Sequence, residues 1–150
     1  MTRILFVCTG NTCRSPMAEA IVKSKNIPNI EVKSAGVFAA PGVDASPLAK
    51  QVLKENNISI QHQATQLQEE TVDWADYILT MTNAHKLMIQ QQFPTSKEKI
   101  YTLKEFALKS NGDVSDPFGG TLETYRETFN ELQSMIDELL KHFSDRSECE

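Results

Sequence analysis

The sequence is short of cysteine, of long apolar runs and of positive charge, and each shortage excludes a class of protein. Its three cysteines are an odd number at low density, which argues against a disulfide-rich secreted domain and predicts reduced thiols. The apolar run at residues 4–8 is too short for a signal peptide or a membrane span, and no other run reaches the required length. We therefore expect a soluble, cytoplasmic protein that makes no contact with a membrane.

Charge and length restrict the partners and the domain count. The formal net charge is -5, and no run of Lys and Arg with interleaved aromatics is present, so a nucleic-acid partner is not expected. A chain of 150 residues with 40% hydrophobic content predicts one domain over residues 1–150, with a frayed tail at about 144–150. The apolar stripe at residues 122–143 fits a helix that covers the core better than a dimer seam, so we expect a monomer.

The common cofactor and metal motifs are also missing. Neither GxxxxGKS/T nor GxGxxG occurs, which excludes the usual nucleotide loops. A zinc site would need a second pair of ligands, and Cys149 with three scattered histidines does not provide one. The sequence therefore predicts no cofactor and no metal. His62, His85 and His142 are expected to be surface or packing residues.

Strand and helix patterns alternate along the chain. Ser15 and Pro16 have the residue types of an N-cap and a first helical position, which predicts a helix start after the first strand. The alternation predicts an α/β fold, a three-layer sandwich with a four-stranded parallel sheet flanked by helices. The predicted strands are 4–7, 30–33, 77–81 and 99–102, and the predicted helices are 15–25, 46–56, 83–91, 103–107 and 121–143.

The loop after the first strand carries a C-x5-R pattern made by Cys8 and Arg14. In a parallel sheet, a loop that leads from a strand into a helix N-terminus is a natural oxyanion site, because backbone amides and the helix dipole favour negative charge. The same field favours the thiolate of Cys8, and the planar guanidinium of Arg14 can hold two phosphoryl oxygens. Ser15 can donate to the sulfur, and the Asn11 amide can brace the loop.

The strings FVCTGNTCRSPMAEA and DPFGG resemble the low-molecular-weight protein-tyrosine phosphatases, and SAG and WADYILTMT follow in the order typical of that family. The resemblance implies a phosphocysteine mechanism without a metal. It makes Cys8 the nucleophile, Arg14 the phosphate clamp and Asp116 the general acid, with Asp113 as the weaker candidate for the acid. A lone Asp-Pro pair would otherwise indicate only a turn.

Two departures from the tyrosine-directed pattern bear on the substrate. Thr12 stands where tyrosine-directed relatives more often have a bulky aliphatic residue, and Phe118 is followed by glycines where those relatives carry tyrosines. CTGNTCRS and DPFGG together resemble the bacterial protein-arginine phosphatase branch, which implies phosphoarginine proteins as substrates and Thr12 as the selectivity residue. The residues expected to bind substrate are Thr9, Gly10, Asn11, Thr12, Cys13, Ser15 and Phe118.

Two other functions stay open at this stage. The first is hydrolysis of phosphotyrosine by the same mechanism. The second is a silent oxyanion-binding regulator, although such a protein would be expected to lose the thiol or the acid. A thioredoxin-coupled arsenate reductase is not expected, because it needs further cysteines in the middle of the chain and residues 14–148 contain none.

Cys13 suggests a redox role beside the catalytic one. Oxidation of Cys8 to a sulfenic acid would allow the Cys13 thiol to form a reversible disulfide with it, which prevents further oxidation. The alternative is that Cys13 is a small buried residue that packs the loop.

Overall fold

The structure is a computed structural model that describes the backbone of residues 1–149 and the side chains of residues 1–143. Four strands form one sheet in the order β2-β1-β3-β4, and every neighbouring pair is parallel. The strands are β1 (Thr2–Cys8), β2 (Ile30–Gly36), β3 (Tyr77–Thr80) and β4 (Ile100–Thr102).

Helices follow the strands and cover both faces of the sheet. The α-helices within the described residues are α1 (Arg14–Ser24), α2 (Pro47–Glu55), α3 (Glu69–Trp74), α4 (Asn83–Gln92), α5 (Leu103–Leu108) and α6 (Leu122–Cys149), and a 3₁₀ helix spans Pro94–Lys99. Among these described elements, no helix is both long enough and apolar enough to cross a bilayer.

Successive side chains of β1 enter two separate cores because strand residues alternate between the two faces of the sheet. Ile4 and Phe6 pack with α1, α2, α5 and α6, whereas Leu5 and Val7 pack with α3 and α4. All four side chains are completely buried. This two-sided burial explains why β1 reads as a continuous apolar run, and it confirms the predicted three-layer α/β sandwich.

The register of the sheet brings three strand ends to one edge. Val7 pairs with Ala35 on one side and with Thr80 on the other, and Cys8 pairs with Gly36. The loops that leave these strands therefore meet at the carboxyl edge of the sheet, where ligands bind in open α/β folds.

Several predicted boundaries were wrong. Helix α1 begins at Arg14 with Cys13 as its cap residue, so Ser15 is a buried residue of the first turn and not the N-cap. Strand β2 continues to Gly36, beyond the predicted end at residue 33, because Ser34, Ala35 and Gly36 pair with β1. Helix α3 and the 3₁₀ helix were missed, since short polar segments carry little periodicity.

The apolar stripe of α6 is buried, as predicted. Tyr125, Phe129, Leu132, Ile136 and Leu139 all join the core on the α1 side of the sheet. The predicted frayed tail, residues 144–150, lies outside the residues whose side chains are described, and the single domain over residues 1–150 stays a prediction.

Candidate active site

The loop of residues 8–14 connects β1 to α1, and its carbonyl groups are turned outward. Five of its carbonyl oxygens accept hydrogen bonds from groups outside the loop or from the first turn of α1. These bonds are Val37 N to Cys8 O (3.0 Å), Phe38 N to Thr9 O (2.9 Å), His62 Nε2 to Asn11 O (2.7 Å), Ser46 N to Thr12 O (2.9 Å) and Met17 N to Cys13 O (3.2 Å).

Outward carbonyls have a direct consequence for the amides of the same loop. The C=O and N–H of a trans peptide unit point in opposite directions, so the amide hydrogens of the 8–14 loop face its interior. The cap residue Cys13 makes no side-chain hydrogen bond to the first turn of α1, which leaves that positive helix end to an oxyanion. The loop is therefore built to hold an anion.

The Cys8 thiol is buried at the end of β1, and its Sγ lies 2.8 Å from Ser15 Oγ. Asn11 Nδ2 donates to the same Ser15 oxygen at 2.9 Å. A Cys8 thiolate can only accept, so the Ser15 hydroxyl donates its proton to the sulfur while its oxygen accepts from Asn11. This bond stabilises negative charge on Cys8.

Asn11 braces the loop from its centre. Its backbone has φ 57°, a left-handed conformation that Asn tolerates better than most residues. The side chain is fully buried, with Nδ2 also donating to Ser34 Oγ at 3.0 Å and Oδ1 accepting from Thr65 N at 2.9 Å. One side chain thus ties the loop to β2 and to the segment before α3.

Gly36 lets the end of β2 pass directly against the 8–14 loop. A Cβ at this position would lie 2.5 Å from the Thr9 carbonyl oxygen and 2.9 Å from the Asn11 nitrogen. Both of these neighbours are backbone atoms, so neither can rotate away. The close approach requires glycine here.

The Arg14 side chain is buried and reaches from the loop towards residues 113–120. Its Nη1 donates to the Val114 carbonyl at 3.1 Å, and its Nη2 lies 3.7 Å from Asp116 Oδ2. Val114 N in turn donates to Met81 O at the end of β3. These bonds hold Arg14 beside both the thiol loop and the Asp-Pro loop.

The two candidate acids have different surroundings. Asp116 is exposed on its loop and accepts only the Phe118 amide besides facing Arg14, as far as the described contacts show. Asp113 instead accepts from the Asn83 amide at 2.8 Å, at the first turn of α4. Asp113 is therefore occupied with a helix end, and Asp116 is the carboxylate that faces the guanidinium.

Phe118 and Ser115 complete the 113–120 loop. Phe118 is 80% exposed, next to Asp116 and without apolar cover among the described residues. Ser115 Oγ contacts Thr128 Oγ1 at 3.0 Å and donates to Glu131 Oε2 at 2.9 Å, so the loop is anchored on α6.

Thr12 and Cys13 lie on the α6 side of the loop. Thr12 is half-buried, and its Oγ1 is 3.7 Å from Cys13 Sγ. Cys13 Sγ is buried 3.3 Å from Tyr125 OH. Burial and this contact with Cys13 raise the pKa of Tyr125, so the phenol stays protonated and is able to donate to the sulfur.

Sequence reasoning missed two histidines that contact the loop. His62 donates to the Asn11 carbonyl, and His85 Nε2 is 2.8 Å from Thr9 Oγ1. His85 is buried, and burial followed by the nearby Arg14 charge lowers its pKa to about 4. One signal was available. His85 lies in the first turn of the helix that follows β3, and β3 is beside β1 in the sheet, so His85 and the 8–14 loop both lie at the carboxyl ends of neighbouring strands. His62 carries no comparable signal.

Taken together, the site contains a buried thiol, inward amides, a buried guanidinium and an exposed carboxylate. Within the described part of the chain, no group of three His, Cys, Asp or Glu side chains is placed to hold a metal ion. A thiolate that attacks phosphorus, donors for the equatorial oxygens and an acid for the leaving group are the needs of phosphoryl transfer. The fold and the site define a protein of the cysteine-dependent phosphatase class.

The comparison with protein families makes the assignment specific. Residues 3–148 match the family described as low molecular weight phosphotyrosine protein phosphatase, and the chain belongs to this family. The family resemblance inferred from the sequence is thereby confirmed.

Individual relatives cover almost the whole chain. A protein-arginine-phosphatase from Geobacillus stearothermophilus is 56% identical over 137 residues, which are 91% of this chain and 93% of the relative. The tyrosine phosphatase PtpB of Staphylococcus haemolyticus is 42% identical over 91% of this chain and 96% of its own length. A solved cysteine-to-serine mutant of the YwlE arginine phosphatase, with a phosphorylated active-site serine, superposes with a TM-score of 0.95 at 44% identity over 99% of this chain and all of the other.

Proposed function

We propose that the protein hydrolyses phosphoarginine in proteins through a phosphocysteine intermediate. The observation that carries the proposal is the placement of the Cys8 thiol and the Arg14 guanidinium on one anion-binding loop, with Asp116 3.7 Å from that guanidinium. The similarity to a protein-arginine-phosphatase over nine-tenths of the chain supports the substrate.

In the first step, the Cys8 thiolate attacks the phosphorus in line with the leaving group. The S–P bond forms as the P–N bond breaks, and Asp116 gives its proton to the departing guanidinium nitrogen. The loop amides and the Arg14 fork stabilise the three equatorial oxygens. Arg14 is the clamp because a planar guanidinium matches two phosphoryl oxygens at once.

In the second step, water attacks the phosphocysteine. Asp116, now ionised, takes a proton from the water as the O–P bond forms and the S–P bond breaks. The sulfur leaves as a thiolate, and the Ser15 hydroxyl, 2.8 Å from it, stabilises that charge. Inorganic phosphate then leaves the loop, and both Cys8 and Asp116 return to their starting states.

Selectivity for the guanidinium is assigned to Thr12. A phosphotyrosine ring gains from apolar walls, whereas a guanidinium is polar and gains from a hydrogen-bonding wall. The Thr12 hydroxyl belongs to a half-buried side chain of the loop, and its contact at 3.7 Å is with Cys13 Sγ, a weak hydrogen-bond partner. The exposed Phe118 flanks the entrance on the other side of the substrate.

Hydrolysis of phosphotyrosine is the second candidate function, favoured by the 42% identity to a tyrosine phosphatase. A silent oxyanion-binding regulator is less well supported, because Cys8, Arg14 and Asp116 are all present. We infer further that the protein works as a cytoplasmic monomer of one domain, without cofactor, metal or nucleic acid, and that Cys8 and Cys13 make it redox-sensitive.

The direct test of the mechanism is capture of the intermediate. The wild-type protein is mixed with a phosphoarginine peptide, quenched in acid within one turnover and analysed by peptide mass spectrometry. The expected result is one phosphoryl group on Cys8, together with phosphate release that is lost in Cys8→Ser. Phosphate release that survives in Cys8→Ser would refute the proposed mechanism.

A further inference from the structure

His85 is a buried polar residue in contact with the active-site loop that the steps above do not use. It is 5% exposed, and its Nε2 lies 2.8 Å from the hydroxyl of Thr9, the residue that follows Cys8. Its Nδ1 is the one buried side-chain polar atom without a hydrogen-bond partner among the described residues. A buried group left unsatisfied in this way calls for a functional explanation.

The surroundings keep the imidazole uncharged. Burial is the main reason that its pKa falls to about 4, and the positive charge of Arg14 adds to the effect, while Asp113 and Asp116 oppose it. Near neutral pH, His85 therefore carries one ring proton, and that proton sits on one of the two nitrogens.

The unpartnered Nδ1 decides which nitrogen is protonated. If Nδ1 carried the proton, an N–H donor would be buried without an acceptor, which is rarer and costlier than a buried acceptor left free. The proton therefore belongs on Nε2, and Nε2 donates to the Thr9 oxygen. The Thr9 hydroxyl proton must then point away from His85.

Both partners of this bond are held in place. The His85 amide donates to Thr82 Oγ1 at 3.1 Å in the first turn of α4, and the Thr9 carbonyl accepts from Phe38 N at 2.9 Å. Thr9 is exposed and directly follows Cys8. Its hydroxyl proton, turned away from His85, is therefore available to a group bound next to the Cys8 sulfur.

We propose that His85 is a positioning residue, whose uncharged imidazole orients the Thr9 hydroxyl as a donor to the phosphoryl group held in the loop. The inference rests on the proposed phosphatase function. It adds a side-chain donor to the loop amides and Arg14, and this donor matters most when negative charge on the phosphoryl oxygens is greatest.

The test compares His85→Ala, His85→Gln, Thr9→Val and Thr9→Ser, together with the double variant His85→Ala/Thr9→Val. For each, kcat and KM on a phosphoarginine peptide and the inhibition constant of vanadate are measured. We expect His85→Ala and Thr9→Val each to lower kcat and weaken vanadate by about tenfold, the loss of one hydrogen bond to a charged group, with KM changed less than about twofold.

The remaining variants separate positioning from a general structural role. Gln carries an N–H donor near the position of Nε2, so His85→Gln should recover most of the kcat lost in His85→Ala. Thr9→Ser keeps the hydroxyl and should recover most of the kcat lost in Thr9→Val. The double variant should be no worse than either single variant, because both remove the same bond. Additive losses, or Thr9→Val activity equal to that of wild type, would overturn the inference.

The outcome is separable from that of the proposed function. A wild-type protein that releases no phosphate from any phosphorylated peptide overturns the phosphatase proposal itself. An active wild type with full activity in Thr9→Val overturns the role of His85 alone, and this result is available even if His85→Ala fails to fold.

Discussion

Arg14 Nη2 lies 3.7 Å from Asp116 Oδ2, so the proposed phosphate clamp and the proposed acid face each other. The carboxylate is more than half exposed, and an ion pair of this kind contributes little to stability. In the proposed mechanism the contact serves to position Asp116: when a phosphoryl group binds the guanidinium, the carboxyl group lies beside the leaving atom. The contact would thus link substrate binding to proton transfer.

Replacing Asp116 by Asn tests the acid directly. Asn keeps the size of the side chain but has no proton to give, so we expect kcat on a phosphoarginine peptide to fall about 10²- to 10⁴-fold. The same variant should lose less kcat on an aryl phosphate, because that leaving group is stable without a proton. The control is Asp113→Asn, which keeps an acceptor oxygen for the Asn83 amide and should retain most of the activity. If kcat fell more in Asp113→Asn than in Asp116→Asn, Asp113 and not Asp116 would be the general acid.

Gly36→Ala tests the architecture of the loop. The added Cβ would be 2.5 Å from the Thr9 carbonyl oxygen, a contact that only backbone movement can relieve. We expect vanadate binding and kcat/KM to fall at least about tenfold, because a displacement of about 1 Å in a catalytic loop is costly. The matched control for vanadate binding is Gly120→Ala, whose added Cβ meets the Thr124 side chain and the Pro117 carbonyl in the loop of Asp116 and not in the 8–14 loop. Unchanged vanadate binding in Gly36→Ala would contradict the close approach.

The lowered pKa of His85 predicts how stability depends on pH. In the unfolded chain His85 gains a proton near pH 6.5, whereas in the folded protein it does so only near pH 4. Between these values the unfolded state binds more protons, so the contribution of this group is complete above 6.5 and is lost as the pH falls towards 4. From about pH 7 to about pH 5, wild type should lose about 1–2 kcal/mol more than His85→Gln in denaturant unfolding. Equal losses would contradict the buried, neutral imidazole.

Reversible oxidation tests the proposed role of Cys13. Peroxide should convert the Cys8 thiolate to a sulfenic acid, and attack by the Cys13 thiol then forms the disulfide and releases water. Cys13 Sγ must leave Tyr125 OH, 3.3 Å away, for this to happen. We expect dithiothreitol to restore wild-type activity after peroxide and to restore Cys13→Ala much less. Full recovery of Cys13→Ala would leave Cys13 as a packing residue of the loop.

The sequence was sufficient to predict the layers of the fold, because the apolar pattern of the strands and that of the long helix were both strong. The apolar run of β1 and the three- and four-residue spacing along α6 each correspond to a buried surface, and both were predicted correctly. Helix α3 escaped notice because it is short, and of its residues only Val72 is buried. The start of α1 was misplaced because the loop, not an N-cap side chain, fixes the first turn.

Site residues that are close together in the sequence were predicted, whereas the residues that support them from distant parts of the chain were not. The motif residues Cys8 and Arg14 are close in sequence, and a local pattern reveals them. Their supports come from far away: Ser34 and Thr65 bind the Asn11 side chain, and His85 binds Thr9 across 76 residues. A single histidine or serine forms no motif in the sequence. Such residues can be identified only in the folded structure, where the sheet edge places them beside the loop.

The most direct test of the account is kcat/KM on two peptides that differ only in carrying phosphoarginine or phosphotyrosine, measured for wild type and Thr12→Ile. The account predicts that wild type prefers phosphoarginine, and that the preference shrinks at least about tenfold in Thr12→Ile as a hydrogen-bonding wall becomes apolar. A wild-type preference for phosphotyrosine, or a preference for phosphoarginine that is the same in both proteins, would contradict it.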